Sequence, residues 1–220
     1  MNRLLSKAIA FCSLLAVVSV VDAAGLAAHV TNADGKPAAD AVVIAVPETG
    51  APARIGKPAI EVVDQIGKEF TPYVKVIRVG SSISFPNKDN VRHHVYSFSP
   101  AKTFELPLYK GTPAEPVQFD KPGIVRIGCN IHDWMIGYIY VAETPFVGKT
   151  GKHGVIELEG LPAGHYRVRV WHPWMEDAEQ TTETAVDVRD GAPTPVEWKL
   201  KLKPELAPRR APLPGEAGYR

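Results

Sequence analysis

Apolar residues recur at every second position through much of this chain, and no long segment carries a convincing helical period. Tyr166, Val168 and Val170 alternate with Arg167 and Arg169, the pattern of a strand with one buried face. Val196, Trp198, Leu200 and Leu202 alternate as cleanly with Glu197, Lys199, Lys201 and Lys203. Strand-like runs also cover residues 73–79, 82–85, 94–98, 123–128 and 137–142. Turn residues separate them, notably Pro86-Asn87-Lys88-Asp89-Asn90 and Lys121-Pro122-Gly123. Residues 26–46 read as two strands joined by Asn32-Ala33-Asp34-Gly35-Lys36-Pro37, in which Asp-Gly supplies the turn. A loose stretch with Gly50, Pro52 and Gly56 spans 48–57. Beyond the middle block, residues 150–153 and 155–158 resume the pattern, and Gly160 to Gly164 make a turn. The chain is predicted to be all-β.

Composition agrees, with 20 prolines and 18 glycines punctuating short β-rich runs. A formal net charge of +1 carries no signal for nucleic acid or for a polybasic membrane contact. About 200 residues suffice for one large or two small domains. Residues 1–23 read as a secretory signal: Arg3 and Lys7 precede an apolar run from Ala8 to Val21, and Val21 and Ala23 fit a cleavage site. That run is short for a membrane span, which needs roughly 20 apolar residues. The mature protein is therefore expected in a periplasm with no stable span; an uncleaved anchor is the alternative. The tail, 204–220, is rich in proline and arginine and is expected to be disordered.

Export changes the cysteine arithmetic. Cys12 leaves with the signal, so Cys129 stands alone in the mature chain, and a lone thiol is a hazard in an oxidising compartment unless something occupies it. Cys129-Asn130-Ile131-His132-Asp133-Trp134-Met135 sets a thiol, an imidazole and a thioether three residues apart. Sulfur donors suit copper(I), imidazole suits both oxidation states, and a second imidazole is available upstream in Val91-Arg92-His93-His94-Val95. The plainer readings are a buried small hydrophobe for Cys129 and a core residue for Met135 beside a Cys-His-His zinc site. His153, His165 and His172 have no ligand-like spacing, and His172-Pro-Trp-Met175 echoes the loop without a thiol.

The run from Phe119 through Cys129, His132 and Met135 to Val141 resembles the ligand loop and flanking strands of the cupredoxins, the small blue copper proteins, with the Cys-x2-His-x2-Met spacing of amicyanin. Phe85-Pro-Asn87 through His93-His94-Val95 resembles their upstream ligand strand, which maps His93 onto the ligand histidine and His94 onto the following asparagine. The resemblance implies one type 1 copper held by His93, Cys129 and His132, with Met135 as weak axial ligand. Asn87, His94 and Asp133 would support the ligands, and His132 with Trp134 would form the edge through which electrons pass. The whole chain is similar to periplasmic plastocyanin-like methylamine utilization proteins. Gly128, where many cupredoxins carry a larger residue, and Asp133, where amicyanin carries proline, depart from the pattern.

The flanks resemble a second family, the carboxypeptidase-regulatory, transthyretin-like sandwiches: residues 30–46 look like its first hairpin, and residues 152–170 like its later strands. The expected organisation is a discontinuous β-sandwich, 24–55 plus 144–203, with a Greek-key cupredoxin sandwich, 60–143, inserted; the alternative is an elaborated cupredoxin followed by an independent sandwich. The expected function is a single-electron carrier between redox partners, a dehydrogenase and a c-type cytochrome being the pair implied, and not an enzyme. Copper delivery without redox work, favoured by a fully buried His132, is one alternative. An envelope binding module with a non-redox metal, marked by an exposed aromatic row at Trp171 and Trp174, is another.

Overall fold

The computed structural model describes residues 24–49, 58–113 and 115–204. The expected signal at 1–23, most of the loose stretch and the tail from 205 onward lie outside the described residues. Among the described residues seventeen strands account for almost all the regular structure. In chain order they are β1 (Gly25–Asn32), β2 (Val42–Pro47), β3 (Ile60–Val62), β4 (Asp64–Ile66), β5 (Glu69–Thr71), β6 (Val74–Arg78) and β7 (Ser82–Ser84). They continue as β8 (His93–Ser99), β9 (Lys102–Tyr109), β10 (Val117–Gln118), β11 (Gly123–Gly128), β12 (Ile136–Ala142) and β13 (Val147–Lys149). The last are β14 (Val155–Glu159), β15 (Gly164–Trp171), β16 (Thr184–Val188) and β17 (Thr194–Leu200), with one 3-10 turn at Glu179–Thr182.

Among the described residues the strands make four sheets of three or more strands, with three apolar layers between them, and one two-stranded hairpin. Strands β14-β1-β17 form the first sheet and β13-β2-β15-β16 the second. Between them pack Leu26 and Val30 of β1, Val43 of β2, and Val168 and Val170 of β15. Strands β6-β12-β11-β8-β9 form the third sheet, and β10-β7-β3 the fourth, beside the β4-β5 hairpin. The layer between those two holds Ile83, Phe85, Val95, Ile127 and Ile139, together with Cys129 and Met135. The remaining layer joins the second sheet to the third through Val42, Ile44, Val74, Tyr140, Ala142 and Trp171.

This stacking explains why Val42-Val43-Ile44-Ala45 has no polar alternation. Val43 and Ala45 face one layer, Val42 and Ile44 the next, and all four are fully buried. A strand covered on both faces reads as a continuous apolar run, and each such Val or Ile contributes roughly 1.5–3 kcal/mol relative to exposure. β12 repeats the device, with Ile139 and Val141 facing one layer and Tyr140 and Ala142 the other.

The strands that precede the middle block pair with those that follow it. β1 lies antiparallel to β14 and parallel to β17, and β2 lies between β13 and β15. Thr150 pins this arrangement: its hydroxyl donates to the Ala38 carbonyl at 2.6 Å and accepts the Ala41 N–H at 3.0 Å. Where the second and third sheets meet, Arg169 Nε and the Tyr140 hydroxyl both donate to Glu179 Oε1 at 2.5 Å, and Arg169 also donates to Glu143.

Some local expectations shift. Residues 150–153 form a turn after β13 rather than a strand, because Thr150 is spent on the contacts just described. β9 was not expected, since Pro107 interrupts its pattern; it lies at the edge of its sheet, where a missing N–H is tolerated.

Candidate metal centre

The loop after β11 is closed on itself. The Cys129 N–H donates to the Met135 carbonyl at 3.2 Å, the Met135 N–H to the His132 carbonyl at 2.8 Å, and the Ile136 N–H to the Trp134 carbonyl at 2.9 Å. These bonds fold seven residues so that Cys129 and Met135 point into the apolar layer while His132 stays half-buried at the rim. His93 opens β8 from the neighbouring strand and is fully buried.

One ligating atom from each of His93, Cys129 and His132 lies within 4.8 Å of the others. Cys129 Sγ is 3.8 Å from His132 Nδ1. A metal bonded to sulfur at about 2.3 Å and to nitrogen at about 2.0–2.1 Å would separate the two by about 3.6–3.8 Å at tetrahedral to trigonal angles. The His93 and His132 rings stand 4.9 Å apart, edge to face.

His93 supplies the sharpest test of fit. Its Nε2 meets Asp89 Oδ2 at 2.7 Å, while its Nδ1 is buried with no hydrogen-bond partner. An orphaned buried nitrogen is costly, by about 1–3 kcal/mol, unless it has a ligand of another kind. The carboxylate partner favours the proton on Nε2, which leaves Nδ1 as the nitrogen available to a metal, the arrangement metal-binding histidines use. The Asp89 carboxyl is kept ionised: burial alone would raise its pKa, but hydrogen bonds from His93 and from the N–H groups of Lys68 and Gly67 bring it below the usual carboxylate range. Burial lowers the His132 pKa, and His93 and Lys68 push it the same way, so the ring is neutral and ready to ligate at neutral pH. Two imidazoles, a thiol and a buried thioether form a donor set that fits copper.

The expected supporting residues divide. Asn87 is buried but does not hold the ligand loop: its amide donates to the Val91 and Tyr109 carbonyls, and its oxygen accepts the Asp89 N–H. Its task is to shape the turn that carries Asp89. His94, next in sequence to His93, falls on the opposite face of β8, where it pairs with Glu105 at 2.9 Å and packs against Tyr96. Asp133 is exposed, on the wall of a cavity of about 550 Å³ beside Cys129 that Tyr96, Arg126 and Gly128 also line. Trp134 packs on His132 with ring centres 5.2 Å apart. The absent side chain at Gly128 is explained by Tyr96, whose ring would lie 3.1 Å from a Cβ there.

Asp89 and the Gly67–Lys68 turn were not foreseen. Asp89 stands four residues before His93, but in a Pro-Asn-Lys-Asp-Asn run it reads as turn composition. His172 is no ligand: its Nε2 faces the Ala39 carbonyl and its Nδ1 accepts the Trp174 N–H. Trp171 is buried against Tyr138 and Tyr140, so it offers no exposed aromatic row.

No protein-family model matches the sequence, and no curated protein matches it. Solved structures do. A copper-containing nitrite reductase from Thermus scotoductus is 29% identical, with a TM-score of 0.36, over 44% of this chain and 25% of that one. A purple cupredoxin from Nitrosopumilus maritimus is 20% identical, TM-score 0.34, over 37% of this chain and 99% of its own. A reduced Cu(I) form of an amicyanin variant is 19% identical, TM-score 0.35, over 44% of this chain and 98% of its own. Each of these copper proteins is alike over less than half of the present chain; the paired sheets with an apolar layer between them make the fold a β-sandwich. Among the described residues no helix is long and apolar enough to cross a membrane.

Proposed function

We propose that this protein is a type 1 copper electron carrier of the periplasm, exported by its first 23 residues. The observation that carries the reading is the convergence of His93, Cys129 and His132 within 4.8 Å, with the buried His93 Nδ1 lacking any other partner. His93 Nδ1, Cys129 Sγ and His132 Nδ1 would hold the metal, with the Met135 thioether as a further, weaker donor. Bound there, copper supplies a reversible one-electron couple. The chain's part is to exclude water from Cys129 and Met135, to keep the His132 imidazole neutral, and to hold the ligands on a rigid sandwich.

Electron transfer is favoured over delivery because His132 is half-buried rather than enclosed, and Ile131 beside it is 48% exposed. An apolar residue at the rim of a ligand edge suits brief docking of a redox partner. A dehydrogenase as donor and a c-type cytochrome as acceptor are the partners proposed, with no catalytic role for the chain itself. We also read the flanking strands as a separate transthyretin-like unit, 24–55 plus 144–203, around the copper-binding unit at 60–143.

The test is to load the purified protein with Cu(II) and record its visible spectrum beside that of Cys129→Ser. An intense thiolate-to-copper band, absent from the variant, is expected. A colourless protein, or a band that survives the substitution, refutes the reading.

A further inference from the structure

The two residues between β4 and β5 touch both halves of the metal centre. Gly67 and Lys68 have φ of +64° and +60°, the double left-handed conformation of a tight hairpin turn. Glycine adopts it freely, whereas at a residue such as Lys68 it costs about 1–3 kcal/mol and persists only where the surroundings enforce it. Here the surroundings are the ligand supports. The Gly67 N–H donates to Asp89 Oδ1 at 2.7 Å and the Lys68 N–H to Asp89 Oδ2 at 2.8 Å. That same Oδ2 holds His93 Nε2 at 2.7 Å. On the other side the Lys68 carbonyl accepts the Trp134 indole N–H at 3.1 Å, and Trp134 packs on His132.

We propose that the Gly67–Lys68 turn is a clamp that pre-sets both histidine arms of the copper site, with Asp89 and Trp134 as its positioning residues. The inference rests on the copper reading above and deepens it. His93 comes from β8 and His132 from the loop after β11, so nothing in local sequence fixes their separation. One rigid turn does: its N–H groups orient the carboxylate that aims His93, and its carbonyl orients the indole that backs His132. Each Asp89 oxygen is occupied by at least one donor, so the carboxylate cannot rotate without losing bonds. A site held in this way keeps its shape when the metal changes charge. The carboxylate also strengthens His93 as a donor, which favours Cu(II) over Cu(I).

Two substitutions separate the clamp from ordinary hairpin packing. Asp89→Asn puts an NH2 group against one of the donors. Trp134→Phe keeps an aromatic ring against His132 but loses the bond to Lys68. Asp89→Asn is expected to weaken Cu(II) binding by about 10–100-fold. With Cu(I) binding unchanged, that raises the reduction potential by about 59–118 mV, at 59 mV per tenfold for one electron. Trp134→Phe is expected to shift affinity and potential in the same direction by the smaller of these amounts.

A metal-free readout runs beside these: long-range proton–nitrogen spectra of the apoprotein should place the His93 proton on Nε2, and Asp89→Asn should release it to exchange between both nitrogens. If wild-type protein takes up copper but neither Asp89→Asn nor Trp134→Phe moves affinity or potential, the clamp is overturned and the copper reading stands. If wild-type protein takes up no copper, the copper reading falls, and the apoprotein spectra decide the clamp alone: a His93 proton found on Nδ1, or unmoved in Asp89→Asn, refutes it.

Discussion

Arg169 is the residue whose loss should weaken the junction between the second and third sheets most. Its Nε donates to Glu179 Oε1, to which the Tyr140 hydroxyl also donates, and its Nη2 donates to Glu143. The side chains of Arg169 and Glu179 are 19% and 11% exposed, whereas Glu143 is 38% exposed. Breaking a buried ion pair by removing one partner costs about 3–5 kcal/mol, because the other charge is left uncompensated. Residual solvent contact puts Arg169→Leu at the lower end, near 3 kcal/mol. The Glu143 contact resembles a surface pair and is worth no more than about 1 kcal/mol. Urea unfolding followed by tryptophan fluorescence measures the difference. With a slope of about 2 kcal/mol per molar, Arg169→Leu should lower the midpoint by about 1.5 M, and Glu143→Gln by less than about 0.5 M. Adding Glu179→Leu to Arg169→Leu should restore much of the loss, since no unpaired charge then remains. A loss below about 1 kcal/mol for Arg169→Leu, or a double variant no better than the single, would refute the reasoning.

Other outcomes follow from the same packing. Thr150→Val keeps the shape but leaves the buried Ala38 carbonyl and Ala41 N–H unpaired, and should cost about 2 kcal/mol in chemical denaturation. A Cβ at Gly137 would meet Phe70 Cβ at 3.1 Å and Ile127 Cγ1 at 3.2 Å, so Gly137→Ala should overpack the layer beneath the copper loop and cost about 1–3 kcal/mol. Burial, reinforced by Cys129, pushes the Tyr109 phenol up to about 12, and burial with Glu179 raises that of Tyr140. The unfolded chain releases these protons near pH 10, so stability is full below about pH 10 and falls as pH rises toward 12. Unfolding midpoints across that range should decline less steeply in Tyr109→Phe and Tyr140→Phe. Copper at about 1,000 times its dissociation constant should stabilise the fold by about 4 kcal/mol, a gain that Cys129→Ser abolishes in a thermal melt.

Much of this architecture is legible in the sequence where the deciding interaction is local. The alternation in β15 and β17 states which face is buried, and the donors of the copper loop are spaced so that one closed turn gathers them. Long-range relations are less legible. Asp89 acts on His93 through a turn whose composition has its own sufficient reason to exist. Lys68 contributes a backbone N–H and a carbonyl, which every non-proline residue has, so nothing in its identity marks the role. His94 shows the converse: beside a ligand in sequence, it is placed by the two-residue period of a strand on the opposite face. β9 is hidden because Pro107 is forbidden in a central strand and harmless at an edge, and the order of strands in a sheet is not written in any one of them.

The pairing of β1 and β2 with strands beyond the middle block sets an order of events during synthesis. Thr31 meets its partner Trp198 across 167 residues, and Ala41 meets Thr150 across 109. The strands from β3 to β12 find all their sheet partners among themselves, so the copper-site half of the chain can close while the first two strands still wait. During that interval β2, apolar on both faces, is the segment most in need of shelter. Among the described residues β17 is the last strand to emerge, and it completes the first sheet by lying beside β1.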